Sequence, residues 1–351
     1  MLERRRGIVI YSQALFGNIC DCTNVWQEVP LTDGEPMNDI TEHGYSRRDF
    51  MKLAAAGGGV VFASALPGCA GMQFGAAGAA GAAGAAGATG AADFNFVQLS
   101  DIHWGYNNAS VNPDSKGTLP KAIAAVNGLT NKPDFVIFTG DLTHTTDDPK
   151  VRRTRLKEFR EMASGINVAV RYMPGEHDAA LDRGEAYQEF FGSTMHYTFD
   201  HKGIHFIVLD NTSDPAAILG DAQLQWLKTD LAAQKSEQPI VVFTHRPLFA
   251  LAPQWDWATR DGAKAIELLM PFKNVTVFYG HIHNAHHHMT GHIGHHAAMS
   301  TMFPLSPFGS MEKKTQLPWN AEKPYDGMGW RSINAGGAVT PKWVDVALTK
   351  S

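Results

Sequence analysis

The stretch Val170-Arg-Tyr-Met-Pro-Gly-Glu-His-Asp178 runs from apolar residues through a glycine into three side chains that can bind metals or carry protons. The apolar segment 168–173 has the length and composition of a β-strand. The acidic and imidazole groups of residues 176–178 therefore follow the carboxyl end of a predicted strand. In open α/β sheets this end of a strand is where ligands bind.

The same arrangement, an apolar strand followed by aspartate or histidine, occurs at four other places. The residues that follow those strands are Ser-Asp-Ile-His (100–103), Gly-Asp (140–141), Thr-His-Arg (244–246) and Gly-His-Ile-His (280–283). One such fragment is common by chance, but five of them in one chain indicate a shared site. Segments with helical spacing, such as 119–129 and 221–233, alternate with the strands and predict an α/β fold.

The composition narrows the class of protein further. A net charge of -5 gives no basic field for a nucleic-acid backbone, so no nucleic-acid partner is predicted. The three cysteines, Cys20, Cys22 and Cys69, all precede the predicted folded region, which therefore has no thiolate ligand. Carboxylate and imidazole groups suit manganese, iron or zinc. The five strand ends carry enough of these groups for two divalent or trivalent ions, whose identity the sequence leaves open.

In order and spacing, these motifs resemble those of the calcineurin-like metallophosphoesterases. The family pattern runs D-x-H, G-D, G-N-H-[DE], H and G-H-x-H, and this chain has DIH, GD, GEHD, H and GHIH. The resemblance covers about 94–302. It implies an α/β fold that is a four-layer α-β-β-α sandwich, with two mixed sheets flanked by helices. It also implies hydrolysis of phosphate esters by attack of a metal-activated water.

The resemblance assigns metal-ligand roles position by position. The first metal would be held by Asp101, His103 and His283, and the second by Glu176, His245 and His281. Asp141 would bridge the two ions.

The resemblance also implies a catalytic role for the residues after Glu176. His177 would stand beside the substrate phosphate and protonate the leaving group. Asp178 would orient the His177 ring. No organic cofactor is predicted.

Glu176 departs from the family pattern, which has asparagine at this position. A carboxylate adds a negative charge and can bind through two oxygens. Glu176 therefore either favours a different metal or a singly charged phosphodiester, or replaces asparagine with modest loss, or marks a decayed site that still binds metal. The retention of every other ligand speaks against decay.

Four further residues are candidates for substrate contacts: Arg246, His144, His286 and His288. The last two lie in a predicted hairpin with strands at 286–290 and 295–301, and alternate residues on a strand share a face. That face would line the cleft or hold an accessory metal, or the hairpin would simply be polar and solvated. Trp255 and Trp257 would stack on a substrate ring or pack their own loop.

The sequence before the folded region predicts export. Ser-Arg-Arg-Asp-Phe-Met-Lys at 46–52 precedes a short apolar run and resembles a twin-arginine signal. The predicted boundaries are an N-terminal extension at 1–36, the signal peptide at 37–70, a Gly/Ala-rich linker at 71–92 and the metallophosphoesterase domain at 93–351. After residue 302 this domain is predicted to continue as a proline-rich tail, with a closing strand at 343–348. The predicted location is periplasmic or exported, with the twin-arginine translocation machinery as partner. Membrane contact would come only from the leader or a lipid on Cys69.

The predicted function is an exported two-metal phosphoesterase that acts on a small phosphate ester, with phosphodiesters slightly favoured. Two alternatives stay open. One is a phosphomonoesterase of the same fold, and the other is a periplasmic metal-binding protein without turnover.

Overall fold

The computed structural model describes residues 93–192, 194–335 and 340–349. The extension, signal peptide and linker predicted before residue 93 lie outside the described residues. Within the described part, no helix combines the length and apolarity that crossing a membrane requires.

The described residues form strands and helices in alternation. The strands are β1 (Asn95–Leu99), β2 (Phe135–Thr139), β3 (Ala169–Met173), β4 (Tyr197–His201), β5 (Ile204–Val208), β6 (Pro239–Phe243), β7 (Asn274–Tyr279), β8 (His286–Thr290), β9 (Ile293–Ala297), β10 (Gly329–Asn334) and β11 (Lys342–Ala347). The α-helices are α1 (Thr118–Gly128), α2 (Pro149–Ala163), α3 (Glu176–Ala179), α4 (Glu185–Phe191), α5 (Gly220–Leu231) and α6 (Gly262–Leu269).

The strands form two mixed sheets. One sheet has the order β11-β10-β1-β2-β3, and the other has the order β4-β5-β6-β7-β9-β8. Strands β1, β2 and β3 pair parallel, as do β5, β6, β7 and β9. The antiparallel pairs are β1–β10, β10–β11, β4–β5 and β8–β9. Parallel strands covered on both faces need continuous apolar sequence, which explains runs such as Phe-Val-Ile-Phe in β2.

An aromatic core holds the two sheets together. Phe96 of β1 lies 5.0 Å from the Phe135 ring and meets the rings of Phe206, Phe243 and Phe278 edge to face at 5.7, 5.9 and 6.1 Å. Such edge-to-face pairs add stabilisation beyond the burial of their area. The first sheet's inner face is thus fixed against the second sheet.

The outer faces of both sheets are covered by helices. Helices α1 and α2 pack residues such as Leu119 and Phe159 on the first sheet. Helices α5 and α6 pack residues such as Leu227 and Leu269 on the second. The predicted four-layer α-β-β-α sandwich of two mixed sheets is therefore confirmed.

The histidine hairpin differs from its predicted boundaries. Its second strand is Ile293–Ala297 rather than 295–301, because the turn contains two residues instead of four. Gly291 occupies the first turn position with a φ of 60°. A two-residue turn commonly places glycine in that conformation, and it starts the return strand earlier.

Candidate metal centre

The seven predicted ligands come together at the carboxyl edge of both sheets. Their ligand atoms form two groups, and within each group all atoms lie within 4.8 Å of one another. The first group is Asp101, His103, Asp141 and His283, and the second is Asp141, Glu176, His245 and His281. Asp141 belongs to both, as a bridging ligand must.

The backbone of the ligand loops is strained at the ligands themselves. Five ligand residues have positive φ angles: Asp101 (54°), His103 (45°), Asp141 (50°), His281 (65°) and His283 (56°). A non-glycine residue in this region costs on the order of 1–3 kcal/mol, and such residues cluster at functional sites. Here the loops after β1 and β2 support each other, since the His103 N–H donates to the Asp141 carbonyl at 2.8 Å.

Glycines in the motifs provide the space that the ligands need. A Cβ atom on Gly175 would lie 2.0 Å from Asp141 Oδ1, and one on Gly280 would lie 2.8 Å from Asp101 Oδ2. A Cβ on Gly140 would lie 2.3 Å from His245 Nδ1. The GD, GEHD and GHIH motifs therefore begin with glycine because a ligand occupies the place of its side chain.

Three histidines are held in a fixed tautomer by backbone carbonyls. The bonds are His245 Nδ1 to Thr139 O (2.7 Å), His283 Nδ1 to Phe303 O (2.7 Å) and His281 Nε2 to Asp256 O (2.9 Å). The other ring nitrogen of each histidine then faces the carboxylates and is the atom that could bind a metal. This outer contact is characteristic of metal-binding histidines.

The arrangement of the candidate ligand atoms suits metal ions better than hydrogen bonds between these residues. His245 Nε2 lies 2.9 Å from Glu176 Oε2, and His281 Nδ1 lies 3.0 Å from Glu176 Oε1, but neither contact has the geometry of a hydrogen bond. The buried atoms Glu176 Oε2, His245 Nε2 and His281 Nδ1 therefore have no such partner among the described residues. In the first group, His103 Nε2 lies 3.1 Å from His283 Nε2. Buried polar atoms normally have a partner, and a cation in each group would supply it. All donors are oxygen or nitrogen, which suits manganese, iron or zinc.

The electrostatics of the second group favour positive charge. Burial raises the pKa of Glu176, but His281, Arg246 and His245 outweigh it and hold that pKa well below its usual value. Burial lowers the pKa of His245, but Asp141 and Glu176 outweigh it and raise that pKa well above its usual value. The carboxylates are thus ionised and attract a cation to this position.

His177 directs an Nε2–H group, a hydrogen-bond donor, into the cavity above the ligands. Its Nδ1 accepts the Thr145 backbone N–H at 3.0 Å, so the neutral ring carries its proton on Nε2. Nε2 lies 3.9 Å from both Asp141 Oδ2 and Glu176 Oε1. The ring packs between His103 and His144, with centroid distances of 4.6 and 5.1 Å.

The prediction that Asp178 orients the His177 ring is wrong. Asp178 is buried and accepts the backbone N–H groups of Leu142, Thr143 and Gly175 at 2.8–2.9 Å. Asp178 stands in the first turn of α3 and caps that helix at Gly175, so its side chain points back to the Asp141 loop. It positions the bridging ligand's loop, and Thr145 orients His177.

The other candidate substrate residues separate into two sets. His144 lines the cavity with the ligands, and burial together with the charges of His177 and Arg155 lowers its pKa to about 4. Arg246 is buried beside the centre, but its Nη1 donates to the Asp256 carbonyl at 2.9 Å and contacts the carboxylate of the same residue. Its Nη2 lies 3.7 Å from Glu176 Oε2, so Arg246 faces a ligand rather than the cavity.

The prediction that His286 and His288 line the cleft is wrong. His286 Nδ1 pairs with the Tyr279 hydroxyl at 2.9 Å, and the His288 ring stacks on Phe249 at 3.9 Å. Strand β8 is the edge of the second sheet, and neither histidine is among the residues that line the cavity with the ligands. Across residues 93–349 as described, the hairpin histidines form no group that could hold an accessory metal.

The two tryptophans pack their own loop. Trp255 and Trp257 are buried and meet edge to face at 5.0 Å. Of the two predicted roles, the structure shows the packing role.

The cavity above the ligands has a volume of about 250 Å³. Sequence reasoning missed four of its lining residues: Phe303, Leu305, Lys314 and Gln316. They lie in a proline-rich segment where no motif signals a site. A larger cavity of about 510 Å³ lies against residues such as Trp319 and contains none of the ligands.

A sandwich of two mixed sheets with two carboxylate–imidazole groups that share one aspartate defines a binuclear metallophosphoesterase type of protein. The calcineurin-like phosphoesterase family model matches residues 94–285, which is more than half of the chain. This chain belongs to the calcineurin-like phosphoesterase family.

Two kinds of curated relative are similar to this chain. Mouse serine/threonine-protein phosphatase CPPED1 is 27% identical over 177 residues, which are 44% of this chain and 57% of that protein. The probable glycerophosphodiester phosphodiesterase GpdQ of Arcobacter nitrofigilis is 28% identical over 163 residues, 43% of this chain and 56% of that protein. The chain thus spans little more than half the length of these relatives.

Among solved structures, the purple acid phosphatase PPD1 of yellow lupin has a similar fold. It superposes with a TM-score of 0.50 at 16% identity, over 70% of this chain and 50% of that one. At this level of identity, the likeness shows the fold alone.

Proposed function

We propose that this protein hydrolyses phosphate esters at its two-metal centre and prefers phosphodiesters to monoesters. The observation that carries the proposal is the sharing of Asp141 by two complete donor groups directly below the His177 donor. The names of the relatives support ester hydrolysis but include both a phosphatase and a phosphodiesterase. A phosphomonoesterase is therefore the alternative within the same fold.

The ligand histidines and His177 have different roles in the proposed hydrolysis. When bound, two metal ions in such a centre supply charge that polarises a phosphoryl oxygen and makes a water molecule more acidic. The ligand histidines, held by backbone carbonyls, fix the positions of that charge. His177 donates a hydrogen bond from its Nε2–H group to the leaving oxygen, where negative charge develops, and Thr145 holds the ring in the tautomer that presents this donor.

The charge of the ligand set supports the preference for diesters. Asp101, Asp141 and Glu176 bring three negative charges to the two groups. Two divalent ions bring four positive charges, so one positive charge remains, which matches a singly charged phosphodiester. Arg246 does not alter this sum because it is paired with the Asp256 carboxylate. With asparagine at position 176, the excess would be two charges and would match a monoester dianion.

Replacing Glu176 with asparagine or glutamine should therefore lower the diester-to-monoester ratio of kcat/KM by about tenfold. Two unit charges 4 Å apart interact by about 4 kcal/mol at an effective dielectric constant near 20, so tenfold is a modest share of the available effect. The measurement compares an aryl phosphodiester with its monoester. Glu176→Asp, which keeps the charge, is the matched control and should leave the ratio unchanged. A ratio that does not move in either neutral variant would contradict the charge argument.

Turnover itself is tested with the full chain loaded separately with manganese, iron or zinc. Ester cleavage above an Asp141→Ala blank supports the enzyme. Bound metal without any cleavage above that blank would instead favour a metal-binding protein that has no turnover.

We further propose export by the twin-arginine route, supported by the sequence at 46–52. Replacing Arg47 and Arg48 with lysine should keep the protein in the cytoplasm when cells are fractionated. The matched control replaces Arg5 and Arg6 with lysine and should not change the distribution. If the Arg47 and Arg48 replacements leave it unchanged too, the export proposal fails.

A further inference from the structure

A second hairpin, residues 303–317, closes one side of the cavity and lies beyond the part of the chain that the family model matches. Leu305 pairs with Gln316 as an isolated antiparallel bridge. The Ser306 N–H donates to the Thr315 carbonyl at 2.8 Å. We call this segment the cavity hairpin.

The base of the cavity hairpin contacts two histidines of the first group of candidate ligands. The Phe303 carbonyl accepts His283 Nδ1 at 2.7 Å, and the Phe303 ring lies 5.1 Å from the His103 ring. Further along, the Tyr106 hydroxyl donates to Gln316 Oε1 at 2.8 Å. The hairpin therefore has a defined position relative to the ligands.

Two hydrogen-bond donors of the cavity hairpin lie at the cavity. Because the carbonyl oxygen of the Gln316 side chain is occupied by Tyr106, its amide nitrogen is the group left for a ligand. Lys314 lines the same cavity, and in the described part of the chain no carboxylate forms an ion pair with its ammonium group. The apolar side chains of Phe303 and Leu305 share that wall.

We propose that Lys314 and Gln316 form a subsite for a second anionic group of the substrate, a carboxylate or a phosphate. That group is carried on a short chain that leads away from the ester phosphorus. The inference rests on the proposed function and names the class of substrate. Phe303 and Leu305 cover the connecting chain, and Lys314 makes a charge-assisted hydrogen bond, which is stronger than a neutral one. The ester phosphate itself lies at the metal centre.

The test measures binding of three methylphosphonate monoesters to the metal-loaded full chain by isothermal titration calorimetry. The ester groups are ethyl, 2-carboxyethyl and 2-phosphonoethyl. Phosphorus NMR after each titration verifies that the P–O ester bond, which a methylphosphonate retains, is intact, and any ester that is cleaved is replaced by the analogue with CH2 in place of the ester oxygen. The wild-type protein should bind at least one of the anionic esters about tenfold more tightly than the ethyl ester, as expected for one hydrogen bond to a charged group. A gain with only one of them identifies the anion.

Two variants decide whether the gain comes from Lys314. Lys314→Met should remove the difference in affinity between the anionic esters and the ethyl ester. Lys313→Met, which changes the neighbouring lysine outside the cavity, should retain it. Equal binding of all three esters by the wild type would overturn the proposal, as would a gain that persists in Lys314→Met.

The outcome does not depend on turnover. If esters are not hydrolysed above the Asp141→Ala blank, the proposed function fails while the binding ratio still tests the subsite. If hydrolysis occurs without a binding preference, the subsite alone fails.

Discussion

Replacing Asp141 with alanine should lower the rate of ester hydrolysis by about three orders of magnitude or more. Asp141 belongs to both donor groups, so its loss weakens both metal positions at once. Its Oδ1 also accepts the His177 backbone N–H at 3.0 Å, so the change also removes a contact that positions His177. Loss of a single electrostatic stabiliser costs about 10²–10³ in kcat, and this change removes more than one. The measurement is kcat on an aryl phosphodiester at saturating metal.

The matched control for this change is Asp147→Ala, which alters an exposed aspartate in the same loop. It should leave the rate within a factor of about two, since surface changes away from a site have small effects. An Asp141→Ala protein that remains folded and keeps a tenth of the wild-type rate would contradict the bridging role.

Replacing His177 with alanine should lower the rate by about 10²–10³, the usual cost of removing one hydrogen-bond donor to developing negative charge. His177 is outside both four-residue donor groups and belongs only to a three-histidine group with His103 and His144, so the two ions of the shared centre should be retained. The loss should be greater for an ester with an alkyl leaving group than for one with 4-nitrophenolate, because the alkyl leaving oxygen develops more localised negative charge and gains more from the hydrogen bond. The measurement is kcat for both esters together with metal analysis of the variant.

The control for this variant is His292→Ala, since His292 lies in the turn of the histidine hairpin. It should leave both rates unchanged. Equal losses for the two leaving groups in His177→Ala would show that the ring binds substrate without stabilising the leaving oxygen.

The sequence predicted the candidate metal ligands because each belongs to a short motif of adjacent residues. A strand of apolar residues, a glycine that leaves room and a polar residue at the strand's end are all adjacent in the chain, as in Tyr279-Gly-His281. Parallel strands then bring distant motifs to one edge without any further information. The order of the motifs therefore predicted both the fold and the candidate metal ligands.

The orientation of side chains could not be predicted in the same way. Asp178 and His177 are adjacent in sequence, but the first turn of α3 sends them in different directions. Likewise, alternation places His286 and His288 on one face of β8 without saying where that edge strand lies. These errors arise because tertiary position, rather than local pattern, decides what a side chain contacts.

The region after residue 302 was the least predictable. It was interpreted as a proline-rich tail, yet β10 pairs with β1 in the first sheet, and the cavity hairpin lines the site. The Gly-Trp-Arg-Ser-Ile-Asn sequence of β10 shows no clear alternation of apolar and polar residues, so it does not predict a strand. Its partner β1 lies more than 200 residues earlier in the chain, with Asn95 opposite Asn334. The closing strand was predicted better, with β11 at Lys342–Ala347.

The most direct test of the account is the metal content of the purified full chain after loading with manganese, iron or zinc. The two donor groups that share Asp141 predict close to two ions per chain for at least one of these metals, and fewer than one in Asp141→Ala. A wild-type protein that binds only one ion with each metal, or an Asp141→Ala protein that still binds two, would contradict the shared two-metal centre.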